Sequence, residues 1–195
     1  MLQALDQRRS VPSKQLGAPG PDQKTLLRML QSAVRVPDHG KLVPFRFIHV
    51  CGDARHALGE ILARRTLQRD ADAAAAALEK ERARFSHAPV IVVVVARLTP
   101  GHKVPEQEQL LTAGSVCFAL LQAAQAEGFG AQWLTGWAAY DASVAAALQL
   151  AQNEKVVGFI HIGTPRVEIP ERERPGAAAL LTEWSPPDAD PSAHG

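Results

Sequence analysis

An unbroken run of β-branched residues at positions 90–95, directly after Pro89, is the feature that most constrains the fold. A strand with no polar alternation has no face to turn toward water, so it must be buried on both faces. The aliphatic run covers only the seven residues 90–96, whereas a membrane-spanning helix needs about 20. The segment therefore predicts a central strand in a sheet that is covered by helices.

Other sequence patterns place further elements around that strand. They predict strands at residues 45–50, 131–135 and 156–163, and helices at residues 2–9, 22–36, 53–84, 106–127 and 141–150. The predicted architecture is α+β, with a central sheet of about four strands. A chain of 195 residues with 46% apolar residues is expected to form one domain over residues 1–184. The Pro- and Asp-rich residues 185–195 are expected to be a disordered tail.

The predicted helix over residues 106–127 is unusual because apolar residues surround most of its circumference. Such a helix is typical of the centre of a core or of a subunit interface. Gly128-Phe129-Gly130 follows this helix rather than a strand, so it is typical of a helix C-cap and not of a dinucleotide-binding loop.

Charge is unevenly placed although the net charge is only +1. Residues 1–69 hold 12 Lys or Arg but only 5 Asp or Glu, and the rest of the chain is acidic on balance. A near-neutral total gives no general attraction to nucleic acid or acidic membranes, so neither is expected as a partner. The basic first third fits a local anion site such as a phosphate site, and equally fits charges scattered over solvated helix faces.

The sequence lacks the motifs of several common kinds of binding site and catalytic site. Cys51 and Cys117 cannot form a disulfide framework, and the histidines show no metal-ligand spacing, so no metal site is expected. The nucleophile elbow, the phosphate loop and the dinucleotide-binding glycine motif are absent. The first residues lack the features of a signal peptide, which favours a cytoplasmic protein.

Three segments carry residues suited to ligand binding. Arg8-Arg9-Ser10 offers two guanidinium groups and a hydroxyl, which suit a phosphate, although paired arginines are also common on solvated surfaces. Arg35 with Pro37-Asp38-His39 fits a ligand contact, or a helix C-terminus followed by a capped turn. The segment from Trp133 to Trp137 fits a flat ligand, or core packing.

The order of these segments resembles that of the FMN-dependent nitroreductase family, in particular its small, single-domain YdjA-like branch. The likeness covers about residues 1–168. The motifs that carry it are Arg8-Arg9-Ser10, Arg35-Val36-Pro37-Asp38-His39, Ala88-Pro89-Val90-Ile91, His102-Lys103-Val104-Pro105, Glu127-Gly128-Phe129-Gly130 with Trp133, and Val157-Gly158-Phe159 with Gly163-Thr164-Pro165. The resemblance implies a nitroreductase-like α+β fold with a mixed or antiparallel sheet of four to five strands. It also implies a homodimer with two FMN sites at the subunit interface.

The resemblance also implies roles for individual residues. Arg8, Arg9 and Ser10 match an element that contacts the phosphate and ribityl end of FMN, and Arg35 matches another flavin contact. His39 matches a residue that the other subunit offers to the flavin. Trp133, Leu134 and Thr135 match a segment that lies along the cofactor in the family. A nicotinamide contact is implied at Ala123, Ala124, Gln125, Ala126, Glu127 and Gly128.

The chain departs from the family pattern at three places. Pro12 stands where the family usually has a basic residue, which leaves Lys14 as a candidate substitute. Val43-Pro44-Phe45 replaces the usual Gln-Pro-Trp. Leu134 and Thr135 stand where close relatives have arginine and serine, which affects the expected substrate preference.

The function expected from this resemblance is an FMN-dependent NAD(P)H oxidoreductase. Hydride would pass from NAD(P)H through FMN to a nitroaromatic or quinone acceptor, and the flavin would carry the chemistry without a catalytic side chain. One alternative is another flavin reaction on the same scaffold, such as dehalogenation or flavin fragmentation. A second alternative is a flavin-binding sensor or carrier without turnover.

Overall fold

The computed structural model describes residues 2–184 and 186. Its helices are α1 (Leu2–Asp6), α2 (Gln23–Ala33), α3 (Asp53–Arg69), α4 (Ala75–Arg82), α5 (Glu106–Ala126) and α6 (Ala142–Ala147). Its strands are β1 (Leu16–Gly17), β2 (Phe45–Cys51), β3 (Val90–Arg97), β4 (Gly130–Leu134) and β5 (Glu154–Pro165). The tail expected at residues 185–195 lies, apart from Pro186, outside the described residues.

The five strands form one sheet built around β5. Along one edge β5 pairs with β3, which in turn pairs with β2. Along its other edge β5 pairs with β4, and the final residues of β5 also pair with β1. All pairings between these strands are antiparallel, so the predicted α+β class and strand count are confirmed.

Strand β3 is buried on both faces, as its sequence predicts. Val92, Val94 and Ala96 are fully buried on the face covered by α2 and α5. Ile91 and Val93 are equally buried on the opposite face, against α3 and the turn that contains Phe85. The protein therefore has three layers, with helices on both sides of the sheet.

Two predicted helix caps are present. The Asp22 carboxylate accepts a hydrogen bond from Thr25 N at 2.7 Å at the start of α2. The Asp141 carboxylate accepts from the backbone N–H groups of Ser143 and Val144 at the start of α6. These bonds satisfy backbone donors that have no partner within the helix.

Several predicted helix boundaries are wrong, and one short strand was not predicted. Helix α1 ends at Asp6 instead of residue 9, because the following residues leave the helix to join β4. The helix predicted over residues 53–84 breaks after Arg69, where the Asp70 carboxylate accepts from Asp72 N at 3.1 Å and forms a turn. Helix α6 ends at Ala147, and residue 149 adopts a positive φ of 56°. The two-residue strand β1 has no sequence signal of its own.

Helix α5 divides its apolar surface between the core and the outside. Val116, Cys117 and Leu120 are fully buried against the sheet. In contrast, Leu111 is 63% exposed and Phe118 is 45% exposed. The isolated chain therefore leaves one side of an apolar helix uncovered. No helix in the described part of the chain is long and apolar enough to cross a membrane.

Candidate functional site

The outer edge of β4 brings two of the three candidate segments together. Ser10 forms a parallel bridge with Ala131, and Val11 N donates to Ala131 O at 3.1 Å. Ser13 N then donates to the Gln132 side-chain oxygen at 2.6 Å. Residues 10–13 therefore run beside β4, and Arg8-Arg9-Ser10 lies on the same edge as Trp133-Leu134-Thr135.

Four arginines surround a small cavity at one end of this edge, and we call them the arginine cluster: Arg8, Arg9, Arg172 and Arg174. Arg8 Nη1 donates to Ser10 Oγ at 3.1 Å. Arg9 Nη1 donates to the Asp6 carbonyl at 2.8 Å. Such a concentration of guanidinium groups favours a phosphate or another anion.

The C-terminal half of the arginine cluster was missed by sequence reasoning. Arg172 and Arg174 follow the last strand and are more than 160 positions away from Arg8 and Arg9. Nothing local in their sequence distinguishes them from other exposed charges. Only the antiparallel return of β5 beside β4 brings them to the N-terminal arginines.

A larger cavity of about 480 Å³ opens beside the other end of the β4 edge, and we call it the Leu134 cavity. The cationic side chains of Lys14, Lys80 and Arg84 line it together with one carboxylate, Glu79. Its remaining lining residues are Ser13, Ala76, Ala83, His87 and Leu134. The volume lies within the range of roughly 300–1,000 Å³ that is typical of small-molecule sites.

Arg84 is held at the wall of the Leu134 cavity by a bidentate ion pair. Its Nε and Nη2 atoms each donate to a carboxylate oxygen of Glu81 at 2.7 Å. Glu81 is itself nearly buried, which fixes the guanidinium in one orientation. Lys14 reaches the same cavity from the segment beside β4. A basic group is thus present here although Pro12 occupies the usual basic position.

A buried histidine lies behind this wall. His161 on β5 is fully buried, stacks on Phe85 with a centroid distance of 5.7 Å, and neither ring nitrogen has a hydrogen-bond partner among the described residues. Burial, reinforced by nearby His87 and Arg84, lowers the pKa of His161 to about 4. Burial and the charges of Lys14 and Arg166 also lower the pKa of His87. Both rings are therefore neutral at physiological pH.

Trp133 faces away from the Leu134 cavity. Because side chains alternate along β4, Trp133 points to the α5 side of the sheet while Leu134 points to the cavity. The indole Nε1 donates to Val157 O at 3.1 Å, and the ring covers Gly158, where any side chain would clash with it. The structure thus gives Trp133 a packing role within the chain. Thr135 is partly exposed directly after β4.

The third candidate segment lies elsewhere in the chain. His39 Nδ1 contacts Glu108 Oε2 at 2.7 Å near the start of α5, and Thr112 Oγ1 donates to Pro37 O at 3.2 Å. The Asp38 carboxylate accepts from the backbone N–H groups of Leu42 and Val43, which stabilises the turn. Arg35 is exposed shortly before this loop.

One chain does not bring the arginine cluster and His39 together. Gln125 Nε2 donates to the Ala4 carbonyl at 2.9 Å, so the N-terminal segment lies at the end of α5. On α5, Glu108 contacts the His39 segment and Gln125 contacts the N-terminal segment. At a rise of 1.5 Å per residue, these two positions are about 26 Å apart along the helix. Arg8 and His39 therefore lie at opposite ends of the same helix.

The segment expected to contact nicotinamide forms the end of α5. Ala124 is fully buried in the core and has no surface to offer a ligand. Ala123, Ala126 and Glu127 line a cavity of about 400 Å³ between α2 and α5, and Glu127 forms an ion pair with Arg28. Gln125 is tied to the N-terminal segment, while Gly128 follows the helix cap with φ of 81°. Within residues 2–184 and 186, no group of three or more metal-ligating side chains is present.

Comparison with known proteins identifies the family of this chain. Residues 5–164 match the Nitroreductase family. YdjA of Escherichia coli K12, whose name assigns it provisionally as an NAD(P)H nitroreductase, is 33% identical over 167 residues, which cover 86% of this chain and 89% of YdjA. The chain therefore belongs to the nitroreductase family, which confirms the resemblance and the expected class of enzyme, an oxidoreductase.

Solved structures agree on the fold. A nitroreductase-like family protein from Bacillus cereus has a TM-score of 0.80 at 18% identity, over 95% of this chain and 96% of that protein. A protein from Desulfovibrio desulfuricans, described provisionally as a nitroreductase and solved in complex with FMN, has a TM-score of 0.73 at 25% identity. That likeness covers 95% of this chain and 97% of the other.

Replacing His161 with Phe should make the protein more resistant to acid. The His161 pKa is about 4 in the folded protein but about 6.5 when unfolded, so the unfolded state binds the proton first as pH falls. The free energy of unfolding of the wild-type protein should therefore fall as the pH decreases from about 6.5 to about 4, by about 3 kcal/mol. Urea unfolding at a series of pH values should show that, below about pH 6.5, the free energy of unfolding of the variant rises relative to that of wild type.

His49→Phe is the matched control, because it makes the same chemical change at an exposed position on β2. This variant should show no pH-dependent gain. A constant difference in unfolding free energy between His161→Phe and wild type, from neutral to acidic pH, would contradict the assignment of His161 as a buried neutral base.

Proposed function

We propose that the protein is an FMN-dependent NAD(P)H oxidoreductase that reduces nitroaromatic or quinone acceptors. The observation that carries this proposal is the arrangement along the β4 edge, where the arginine cluster stands at one end and the Leu134 cavity at the other. This pair of sites suits a ligand with a phosphate at one end and a flat ring at the other. The name of YdjA and the FMN complex of the Desulfovibrio protein support the same assignment.

The phosphate of FMN would be held by Arg8, Arg9 and Ser10, together with Arg172 and Arg174. Guanidinium groups donate charge-assisted hydrogen bonds to phosphate oxygens, and each such bond contributes about 1.5–3 kcal/mol. The hydroxyl of Ser10 adds a neutral donor beside them. The proximity of four guanidinium groups otherwise produces repulsion, which a bound dianion relieves.

The flavin ring would be held at the Leu134 cavity, along Leu134 and Thr135. Bound FMN supplies the redox chemistry, since it accepts a hydride from the nicotinamide and returns it to an acceptor. The protein would orient the ring, exclude water with Leu134, and place the positive charges of Lys14 and Lys80 beside the ring. Such charges stabilise the negative charge that a ring gains on reduction.

A homodimer with shared sites is the second part of the proposal. The uncovered side of α5, with exposed Leu111 and Phe118, suits burial against a second copy of the chain. At Gly114 a Cβ atom would touch only the far edge of Trp133, at 4.0 Å, so internal packing does not require glycine there. Close approach of a second subunit does explain a small residue at this position.

A two-fold dimer also resolves the separation of Arg8 from His39. Residues at opposite ends of α5 in one chain come together when two copies of the helix pack side by side with opposite directions. Each site would then combine Arg8 of one subunit with Arg35 and His39 of the other. A single folded domain over residues 1–184 and a cytoplasmic location complete the proposal.

The purified protein should bind FMN more tightly than riboflavin, because riboflavin lacks the phosphate. Arg8→Ala should weaken FMN binding about 10- to 100-fold, the loss expected for one charge-assisted bond, and leave riboflavin binding nearly unchanged. Titration of the apoprotein by flavin fluorescence measures both affinities. Arg64→Ala, at an exposed position on α3, is the matched control and should leave both affinities unchanged. Equal wild-type affinities for FMN and riboflavin would contradict the phosphate assignment.

The FMN-loaded protein should lose its yellow colour rapidly when NADH or NADPH is added under nitrogen. The colour should return when a nitroaromatic or quinone is added, because the acceptor takes the stored electrons. Absorbance at the flavin band follows both steps. Slow bleaching by both donors would instead favour the sensor or carrier function, and bleaching without reoxidation would point to a different acceptor class.

Mixed dimers should reveal the shared site. Variants Arg8→Glu and His39→Glu are each expected to be inactive as homodimers. In a heterodimer of the two, one site carries both lesions and the other carries neither, so about half of the wild-type activity should return. Activity of tagged, isolated heterodimers is the measurement. If both residues serve the same chain's site, every site keeps one lesion, and an assembled heterodimer without activity would overturn the shared arrangement.

A further inference from the structure

The anion site at the arginine cluster is closed. The cavity between Arg8, Arg9, Ser10 and the segment after β5 has a volume of only about 20 Å³. A cavity needs about 10–15 Å³ to hold one water molecule, so this cavity has no room for a phosphate group. Some part of its wall must move before an anion of that size can bind.

The hydrogen-bond donors of the site are already engaged by the chain itself. Arg8 Nη1 donates to Ser10 Oγ, and Arg9 Nη1 donates to the carbonyl oxygens of Asp6 and Arg8. The remaining terminal nitrogen of Arg9, Nη2, contacts the Glu171 carboxylate. The other oxygen of Glu171 lies 3.4 Å from Arg174 Nε. A carboxylate of the chain thus bridges the two halves of the arginine cluster.

Among the described residues, the segment that carries Glu171 is anchored to the core at its beginning. Arg166 N donates to Gln15 O at 2.8 Å, and Ile169 packs against the buried cluster that contains Val11 and Leu16. Residues 170–176 are exposed and have no regular secondary structure. Rotation of the chain after Ile169 would therefore remove Glu171 from the site without disturbing the core.

We propose that Glu171 is a built-in competitor for the anion site, and that a bound phosphate displaces its carboxylate and takes its place between Arg9 and Arg174. This inference rests on the proposed function, because it concerns the phosphate end of the same flavin site. Arg172 and Arg174 then move with the segment and close over the phosphate. A phosphate dianion carries more charge and more acceptor oxygens than a carboxylate, so it binds the arginines more tightly than Glu171 does.

Removal of the competitor should strengthen binding, because Glu171 is not needed to position the arginines. Arg8 and Arg9 are held by Ser10 and by backbone carbonyls, and these bonds remain when the Glu171 charge is removed. Both members of the Arg9–Glu171 pair are partly exposed, at 27% and 51%. Exposed ion pairs of this kind shift an equilibrium by up to about fivefold.

Glu171→Gln should therefore bind FMN about two- to fivefold more tightly than wild type, with no change for riboflavin. Glu173→Gln is the matched control. It removes the same charge two residues away, and Glu173 forms no ion pair within the described residues. Fluorescence titration of the apoproteins at fixed ionic strength measures the affinities. Inorganic phosphate should compete with FMN at lower concentration in Glu171→Gln than in wild type.

Two further variants test the C-terminal half of the cluster. Arg172→Ala and Arg174→Ala should each weaken FMN binding about three- to tenfold and leave riboflavin binding unchanged. If Glu171→Gln and Glu173→Gln bind FMN equally, or if Glu171→Gln binds it more weakly, the competitor is refuted. Failure of the wild-type protein to prefer FMN over riboflavin would be a different result, since it would refute the phosphate site itself.

Discussion

The backbone pairing of β5 along both of its edges is the interaction on which the rest of the structure depends. Its β3 edge builds the buried centre of the sheet, and its β4 edge builds the candidate site. The register with β4 places Ala131 where Ser10 can pair with it, which fixes the N-terminal arginines. The same strand then runs on toward Arg172 and Arg174. Loss of the β5–β4 register would therefore separate every part of the proposed flavin site.

Small residues along β5 and β4 make this arrangement sterically feasible. Gly158 leaves room for the indole of Trp133, which locks β4 against β5 through a hydrogen bond to Val157. A Cβ atom at Gly130 would lie 2.8 Å from Val11 Cγ2, so glycine lets the N-terminal segment approach β4. The resemblance implies that Trp133 lies along the cofactor, and the structure adds that its indole fastens the strand that carries Leu134.

Sequence patterns were sufficient where the cause of a structure is local. The β3 run, the long apolar helix α5 and the caps at Asp22 and Asp141 each depend on neighbouring residues, and each was predicted. Strand β1 and the position of the arginines after β5 depend on distant partners, and both were missed. The basic first third of the chain shows the same limit. Local charge suggested an anion site or solvated scatter, but much of that charge pairs with acidic residues far along the chain.

The ion pairs that cross the sequence include Arg46–Glu154 and Arg65–Asp141. The Arg46 guanidinium donates both hydrogen bonds to the nearly buried Glu154, and these bonds are the largest cause that lowers the pKa of Glu154 to about 2. In each of these pairs one guanidinium is matched by one carboxylate. The arginine cluster differs because, among the described residues, its four guanidinium groups have one carboxylate partner, Glu171, which contacts Arg9 and Arg174. The candidate binding site therefore differs from the ion pairs that stabilise the fold because it contains more guanidinium groups than carboxylates.

The location of the arginine cluster links cofactor binding to the two ends of the chain. Arg8 and Arg9 follow the first helix, while Arg172 and Arg174 follow the last strand, and one anion would contact both. A ligand that binds only the folded protein raises the free energy of unfolding. The increase grows with the logarithm of the ratio of ligand concentration to the ligand's dissociation constant. Here that stabilisation would fall on two segments, residues 2–7 and 170–176, that are exposed in the free protein. Arg166 and Ile169 anchor the start of the C-terminal segment near the site, and residues 170–176 are exposed. Displacement of the Glu171 carboxylate and occupation of the anion site would therefore form one coupled equilibrium.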